Sequence, residues 1–278
     1  MERVVEHPVP AGPLSVRWLA VELPAFRAGA EEVVRVELQN AGLAPWRSRG
    51  SEGVQLAYHW LDERGNPIVW DGTRHPFERT VEPRERVRRE VRVRAPIPAG
   101  PYRLAFDLVE EHRYWFAELG NVPLERDAPV GSRLERRALA VCGADPGALA
   151  DLEEPPVRLE EAEAIAWLAP GVVPEPDWSR RILDGHAEGY AAVGGAVRPE
   201  RAWLKPRLRR ELAPWAVGGG RNPAFQHPLL CPSALTELAA EPRELHGLPV
   251  LDPPGCEPWI HDARIVVKFR PRPGRRSA

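Results

Sequence analysis

The sequence predicts a mainly β chain, in which an antiparallel two-sheet sandwich precedes a smaller α+β domain. Three observations predict it. In Val54–Trp60 the even positions Val54, Leu56, Tyr58 and Trp60 are all apolar, while the odd ones include Gln55 and His59. In the second stretch Tyr102, Leu104, Phe106 and Leu108 alternate with Arg103, Ala105 and Asp107. In Arg86–Arg94, Val87, Val91 and Val93 face one way and Arg86, Arg88, Glu90, Arg92 and Arg94 the other. A period of two with one apolar face is the pattern of a half-buried strand.

The remaining elements of the first half follow in order. Met1–Pro13 reads as a loose leader, Leu14–Glu22 as the first strand and Glu32–Gln39 as the second, with Val34, Val36 and Leu38 inward. Asn40-Ala41-Gly42 turns the chain, because Asn and Gly tolerate positive φ. Gly53–Asp62 is the central strand, and Arg64-Gly65-Asn66-Pro67 is a turn signal. Ile68–Trp70 is short and Asp71-Gly72 turns again. Tyr102–Glu110 and Arg113–Leu119 form a hairpin closed by Glu110–His112, and Leu134–Cys142 adds a last strand. Seven or more short strands at this spacing, with a core Trp and a Tyr opening a late strand, fit an immunoglobulin-like sandwich with a tyrosine corner.

Asn40-Ala41-Gly42 with Trp46, then Tyr58-His59-Trp60-Leu61-Asp62, Ala95-Pro96 with Gly100-Pro101-Tyr102, and Trp115-Phe116 carry a resemblance. Over roughly Val16–Gly120 the chain resembles the bacterial Ig-like domains related to the four-tryptophan domain of autophagy receptors. That resemblance implies a binding or spacer module without catalytic residues. No Cys pair bridges the sheets as in antibody domains.

Gly143–Pro156 is rich in Pro, Gly and acidic residues and reads as a linker. The expected division is 1–142 for the Ig-like sandwich, 143–158 for the linker, 159–270 for a small α+β domain and 271–278 for a disordered basic tail. In the second domain Leu159–Leu168 and Trp178–Gly189 read as helices, the latter capped by Asp177. Tyr190–Val197 reads as a buried strand, Arg201–Leu212 and Ser233–Ala240 as helices, Pro214–Leu230 as irregular and Ala263–Phe269 as a closing strand.

Composition bounds the function. A net charge of -2 gives no reason to expect nucleic acid. No apolar run approaches the ~20 residues of a membrane span, and Met1–Leu19 has no uninterrupted apolar segment of the signal-peptide kind, so the expected location is the cytoplasm. The 32 prolines point to rigid loops and little continuous helix. Three cysteines, Cys142, Cys231 and Cys256, cannot all pair.

The candidate sites are few, and each has an ordinary structural alternative. His227-x3-Cys231 and Cys256-x4-His261 supply two thiols and two imidazoles at short spacings, the donor set of a structural zinc. The alternative is a buried Cys231 in Leu229-Leu230-Cys231-Pro232 and His residues serving as loop polars; apart from that zinc, no cofactor is expected. Gly218-Gly219-Gly220-Arg221-Asn222-Pro223 could cradle a phosphate with Arg221 as its charge, yet lacks the following Lys-Ser/Thr of a P-loop and a clear strand–loop–helix setting, and a flexible or tightly turned loop is the favoured reading. Asp184, His186 and Glu188 are close in sequence but do not share one helix face. The helix and Ala-Ala-Val-Gly-Gly-Ala-Val strand of Asp177–Pro199 resemble one piece of family-2 glycosyltransferases, without a preceding Asp-x-Asp motif. Finally, Trp18, Trp46, Trp70 and Trp115 are candidate platforms for sugar rings, against core or corner packing as the alternative.

The leading expectation is a non-catalytic binding or assembly protein with a protein or glycan partner, linked to cell-surface polysaccharide, with Trp46, Trp70, Trp115 and Arg221 as ligand-binding residues. The rival is an enzyme of carbohydrate metabolism with a site in 177–261 built from His186, His227, Arg221 and Asp262.

Overall fold

The computed structural model describes residues 2–4, 7–199, 215–218, 229–245, 248–251 and 256–269. It divides into two compact units, Met1–Gly131 and Ser132–Ala278. The chain is mainly β, with one α-helix among the described residues.

The first unit is an Ig-like antiparallel sandwich. Its main strands in chain order are β1 (Val16–Glu22), β2 (Glu31–Asn40), β3 (Glu52–Leu61), β4 (Pro67–Val69), β5 (His75–Pro76), β6 (Arg86–Arg94), β7 (Arg103–Glu110), β8 (Tyr114–Trp115) and β9 (Leu124–Asp127). One sheet runs Glu2–Arg3, β1, β2, β6. In the other, β3 pairs with β7 over their whole shared length; β8 and β9 flank β7, and β4, β5 and Ser48–Arg49 lie on the far side of β3.

The even residues of β3 and β7 fill the space between the sheets. Val54, Leu56, Tyr58, Trp60, Leu104, Phe106 and Leu108 join Val34, Val36 and Leu38 of β2 and Val91 and Val93 of β6 in one apolar cluster. Trp60 is wholly buried, edge-on to Phe26 at 5.1 Å, and its Nε1–H donates to the Arg94 carbonyl at 2.9 Å. The Tyr102 hydroxyl donates to the Pro98 carbonyl at 2.9 Å, which is the tyrosine corner. At the turn after β2, Asn40 Nδ2 donates to the carbonyls of Ala44 and Val81, and Gly42 N–H donates to Asn40 Oδ1. The buried Asn therefore holds a loop against the sheet as well as turning the chain.

The second unit contains β10 (Leu139–Cys142), β11 (Ala164–Trp167), β12 (Val172–Pro174), α1 (Trp178–Glu188), β13 (Ala192–Pro199), β14 (Trp215–Gly218), β15 (Leu229–Leu230), β16 (Ser233–Leu235), β17 (Arg243–Leu245), β18 (Leu248–Leu251) and β19 (Trp259–Phe269). The larger sheet is mixed, in the order β10-β11-β16-β13-β19-β12, with β14 also paired to β19; β15, β18 and β17 form a small sheet. Trp178, Ile182 and Leu183 of α1 are buried in the core of this unit. Gly185 permits close approach of the helix, since a Cβ there would stand 2.9 Å from Val193 Cγ2.

Several expectations change. Leu139–Cys142 pairs in parallel with Ala164–Trp167 and so belongs to the second unit, not to the sandwich. The stretch read as a linker is bonded into that unit: Val157 N–H donates to Leu139 O and Glu153 N–H to Pro176 O, both at 2.9 Å. Leu159–Leu168 is a 3-10 turn (Leu159–Glu161) followed by a strand, because Ala164 and Ala166 bury one face of β11 between β10 and β16. Ser233–Ala240 is likewise a strand and then a 3-10 turn, Thr236–Leu238, and Ser233 is not a helix cap. Tyr114–Trp115 is the only strand in Arg113–Leu119, the rest being the 3-10 turn Phe116–Leu119. Trp178–Glu188 is helical as expected, although Asp177 makes no side-chain cap bond; its carboxylate pairs with Arg181. The helix expected over Arg201–Leu212, the Gly219–Arg221 loop and the 271–278 tail lie outside the described residues.

Candidate ligand-binding site

The outer face of the β3–β7 pair is not solvated. Gln55, Ala57, His59, Ala105, Asp107 and Val109 are all buried. The chain returns alongside this pair twice, once at each side. After β3 it turns at Asp62–Asn66, where the Asp62 carboxylate accepts the amides of Arg64 and Asn66, and β4 carries it to Trp70. After β7 it returns through β8 to Trp115. Ala105 sits directly across from His59, and the small residues there leave room for rings over the sheet.

Three rings meet at that place. His59 stacks on Trp70 with centroids 4.2 Å apart and planes 21° apart. Trp115 stands edge-on to both, 4.6 Å from His59 and 5.8 Å from Trp70. The Arg74 guanidinium lies 4.6 Å over Trp115. It is held by Glu111 through Nε at 2.6 Å, by the Gly72 carbonyl at 3.0 Å and by Asp71 at 2.9 Å. Gly72 is required by the close approach of the loop, because a Cβ would stand 2.4 Å from the Tyr58 carbonyl oxygen. His59 Nδ1–H donates to the Trp70 carbonyl, which fixes the tautomer. Burial lowers the imidazole pKa; the Trp70 carbonyl works the other way, and Arg74 adds to the lowering. His59 is therefore a neutral ring at neutral pH. Behind this cluster burial pushes the Asp107 carboxyl up to about 7, against the amides of Ala117 and Leu108 that it accepts.

Of this group, Trp70 is 51% exposed. It presents a flat ring whose far side is packed, flanked by the exposed Asp71 carboxylate. Such an arrangement can stack a planar or chair-shaped apolar face and accept hydrogen bonds from its substituents.

The structure separates the four tryptophans read from the sequence. Trp70 and Trp115 come together. Trp46 is wholly buried between Phe77 and Phe116, and Trp18 is buried with its Nε1–H on the Val122 carbonyl, so neither can be a platform. Sequence reading missed His59, Asp71, Arg74 and Glu111. The signal available was Asp71-Gly72-Thr73-Arg74, a charged turn directly after a Trp.

The other candidates do not converge among the described residues. Arg221 and His227 lie outside them. His186 is wholly buried: Nδ1–H donates to Tyr190 O at 2.8 Å, and Nε2 faces Ser233 Oγ at 2.9 Å. Burial pushes its pKa down to about 4. This Ser–His pair is sealed in the core, with the hydroxyl also 3.1 Å from Val193 O. Asp262 is tied to Arg264 by both carboxylate oxygens, while Asp184 and Glu188 are exposed on the other side of α1. Cys231 belongs to the apolar cluster that holds Leu248 and Trp178, and burial pushes its thiol up to about 12; Cys256 belongs to a different cluster, with Leu229 and Trp259. His261 is buried in β19 opposite Gly194. Among the described residues no group of three or more His, Cys, Asp or Glu is placed to hold a metal ion, and no helix is long and apolar enough to cross a membrane.

No family model matches the chain, and no curated protein matches it. Solved structures similar to it include the C-terminal domain of wzt, at 11% identity over 46% of this chain and 75% of that one, with a TM-score of 0.31. Another is the ASH/PapD-like domain 7 of human CEP192, at 14% over 46% and 93%, TM-score 0.23. A third is a family 123 glycoside hydrolase from Clostridium perfringens, at 11% over 62% of this chain and 33% of that one, TM-score 0.24.

Proposed function

We propose that the protein is a non-catalytic binding module that takes a sugar ring of a glycan on the Trp70 face of its sandwich. The observation that carries this reading is the exposed Trp70 ring, stacked from behind on His59 and buttressed by Trp115 and Arg74. A pyranose offers axial C–H groups to such a ring and hydroxyls to Asp71. The ring is held before the ligand arrives, so little ordering cost falls on binding. A protein partner using the same face remains the second outcome of the test below.

The sandwich is read with this as one of the bacterial Ig-like domains related to the four-tryptophan type. Support comes from the buried Asn40 and Trp46, the central Trp60 and the tyrosine corner at Tyr102. Cell-surface polysaccharide is the glycan source this reading favours.

The test is binding of the full chain to an array of polysaccharides, run beside Trp70→Ala and with a pull-down as the protein arm. Saturable binding lost in Trp70→Ala supports the reading. Binding to no glycan, or binding indifferent to Trp70, overturns it.

A further inference from the structure

A second surface of the sandwich has the shape of a receptor for an extended chain. β6 is the last strand of its sheet, paired on one side with β2 and on the other with nothing among the described residues. In an antiparallel pair, successive residues point their backbone groups alternately toward and away from the partner. The amides of Arg92 and Arg94 point away from β2, since they donate to His75 Nε2 and to the Tyr58 hydroxyl. The register with β2 runs without a shift from Arg94 to Arg86. Arg86, Arg88 and Glu90 therefore point their N–H and C=O groups away from β2 as well. On the inner side of the ladder, Asn40 N–H reaches Glu85 O, as this alternation requires.

The two ends of the edge are treated differently. At Arg92 and Arg94 side chains occupy the outward groups, and the Trp60 indole N–H also takes Arg94 O. Over Arg86–Glu90 no such cap exists among the described residues. There the edge opens into a slot of about 500 Å³, between β6 and the segment Phe77–Val81. Phe77, Val81 and Val87 give it apolar lining. Arg89, on the core-facing row, spans its inner side: its guanidinium lies 5.8 Å over Phe77, donates to Pro76 O at 2.9 Å and pairs with Glu78. Arg86 and Arg88 project from the outer row. Arg88 has only a 3.6 Å contact with Glu37, and Arg86 has no ion pair among the described residues.

We infer that this slot binds an extended acidic segment of a partner protein, which adds a strand to β6 beside Arg86–Glu90. The backbone groups supply the pairing. Carboxylates on alternate positions of the segment face Arg86 and Arg88, and the intervening apolar residues lie on Val87 and Phe77. A second copy of this chain is the poorer occupant, because β6 paired with β6 about its centre sets Arg88 against Arg88, with Arg86 facing Glu90, whereas an acidic segment meets both arginines with carboxylates.

The experiment uses the full chain and a fluorescent, end-blocked peptide of roughly six alternating valines and glutamates, long enough to span the slot at ~3.3 Å per residue. Saturable binding with slowed amide exchange at Arg88 and Glu90 supports the inference, as does failure of the same peptide with lysine in place of glutamate. Arg88→Pro removes an outward amide and leaves the ladder to β2 intact, and should weaken binding tenfold or more without moving the melting temperature. Should that variant fold poorly, Arg86→Glu gives the same loss through charge alone. No saturation, exchange protection elsewhere, or binding unchanged in both variants overturns the inference. None of these outcomes depends on the Trp70 face.

Discussion

Acid should loosen the second unit through one residue, His186. The ring is fully buried, and burial lowers its pKa from the ordinary 6.5 to about 4. The unfolded chain then takes up a proton near pH 6.5, while the folded chain resists until about pH 4. Between those values the unfolded state binds more protons, so stability falls as pH falls; above 6.5 the contribution is complete. The gap from 6.5 to about 4, at ~1.4 kcal/mol per pH unit, comes to between about 3 and 4 kcal/mol in full, of which about 3 is lost by pH 4. Carboxylates also titrate in this window, so the comparison must be with His186→Gln, which lacks the titrating ring. Urea unfolding of the full chain, followed by amide exchange in peptides from α1 and β13, reads the unit by itself. From pH 7 to pH 4 the wild type should lose about 3 kcal/mol more than the variant. Equal losses in the two proteins would mean that His186 is accessible to protons in the fold and that the sealed Ser233 contact is wrong.

Asp107 should act in the opposite sense in the first unit. Its folded pKa is raised from 3.8 to about 7, so its burial costs nothing below pH 3.8 and costs about 4 kcal/mol once pH has risen through 7. Asp107→Asn should remove that slope, measured by exchange in β7; a slope retained in the variant contradicts the assignment. Trp60→Ala empties the space between the sheets and should cost roughly 3–5 kcal/mol by denaturant unfolding, and an unchanged midpoint would displace β3 from the centre of the fold.

The sandwich was legible because its strands bury one apolar face against a common core. Val34, Val36 and Leu38, the alternation of Arg86–Arg94, and Trp60 announce themselves by period alone. The second face of β3 was not legible. Gln55, His59 and, beside them on β7, Asp107 are polar in sequence and suggest solvent; their burial depends on segments that arrive later in the chain, as where Trp70 and Trp115 close over His59. The site was half visible for the same reason. Trp70 and Trp115 could be named, but nothing local distinguishes them from Trp46, whose burial depends on Phe77 and Phe116 far along the chain. In the second unit the error had one cause. Ala164–Trp167 and Ser233–Leu235 are short and lie among good helix formers, and each becomes a strand only because a distant strand pairs with it. The position of the boundary likewise follows from pairing: Leu139–Cys142 reads as a seventh or eighth sandwich strand until its partner at Ala164–Trp167 is known.

The indole N–H resonances of the ten tryptophans offer the most direct measurement of the central claim, that Trp70 on its His59–Trp115 support is a ligand platform. With the full chain titrated with a polysaccharide that binds on the array, the signals of Trp70 and Trp115 should move together and saturably, while those of Trp46 and Trp60 stay fixed. Trp70→Ala should abolish the movement of Trp115. If the signals that move belong to other tryptophans, or if none moves while the glycan binds, the ligand sits elsewhere and the platform is only packing.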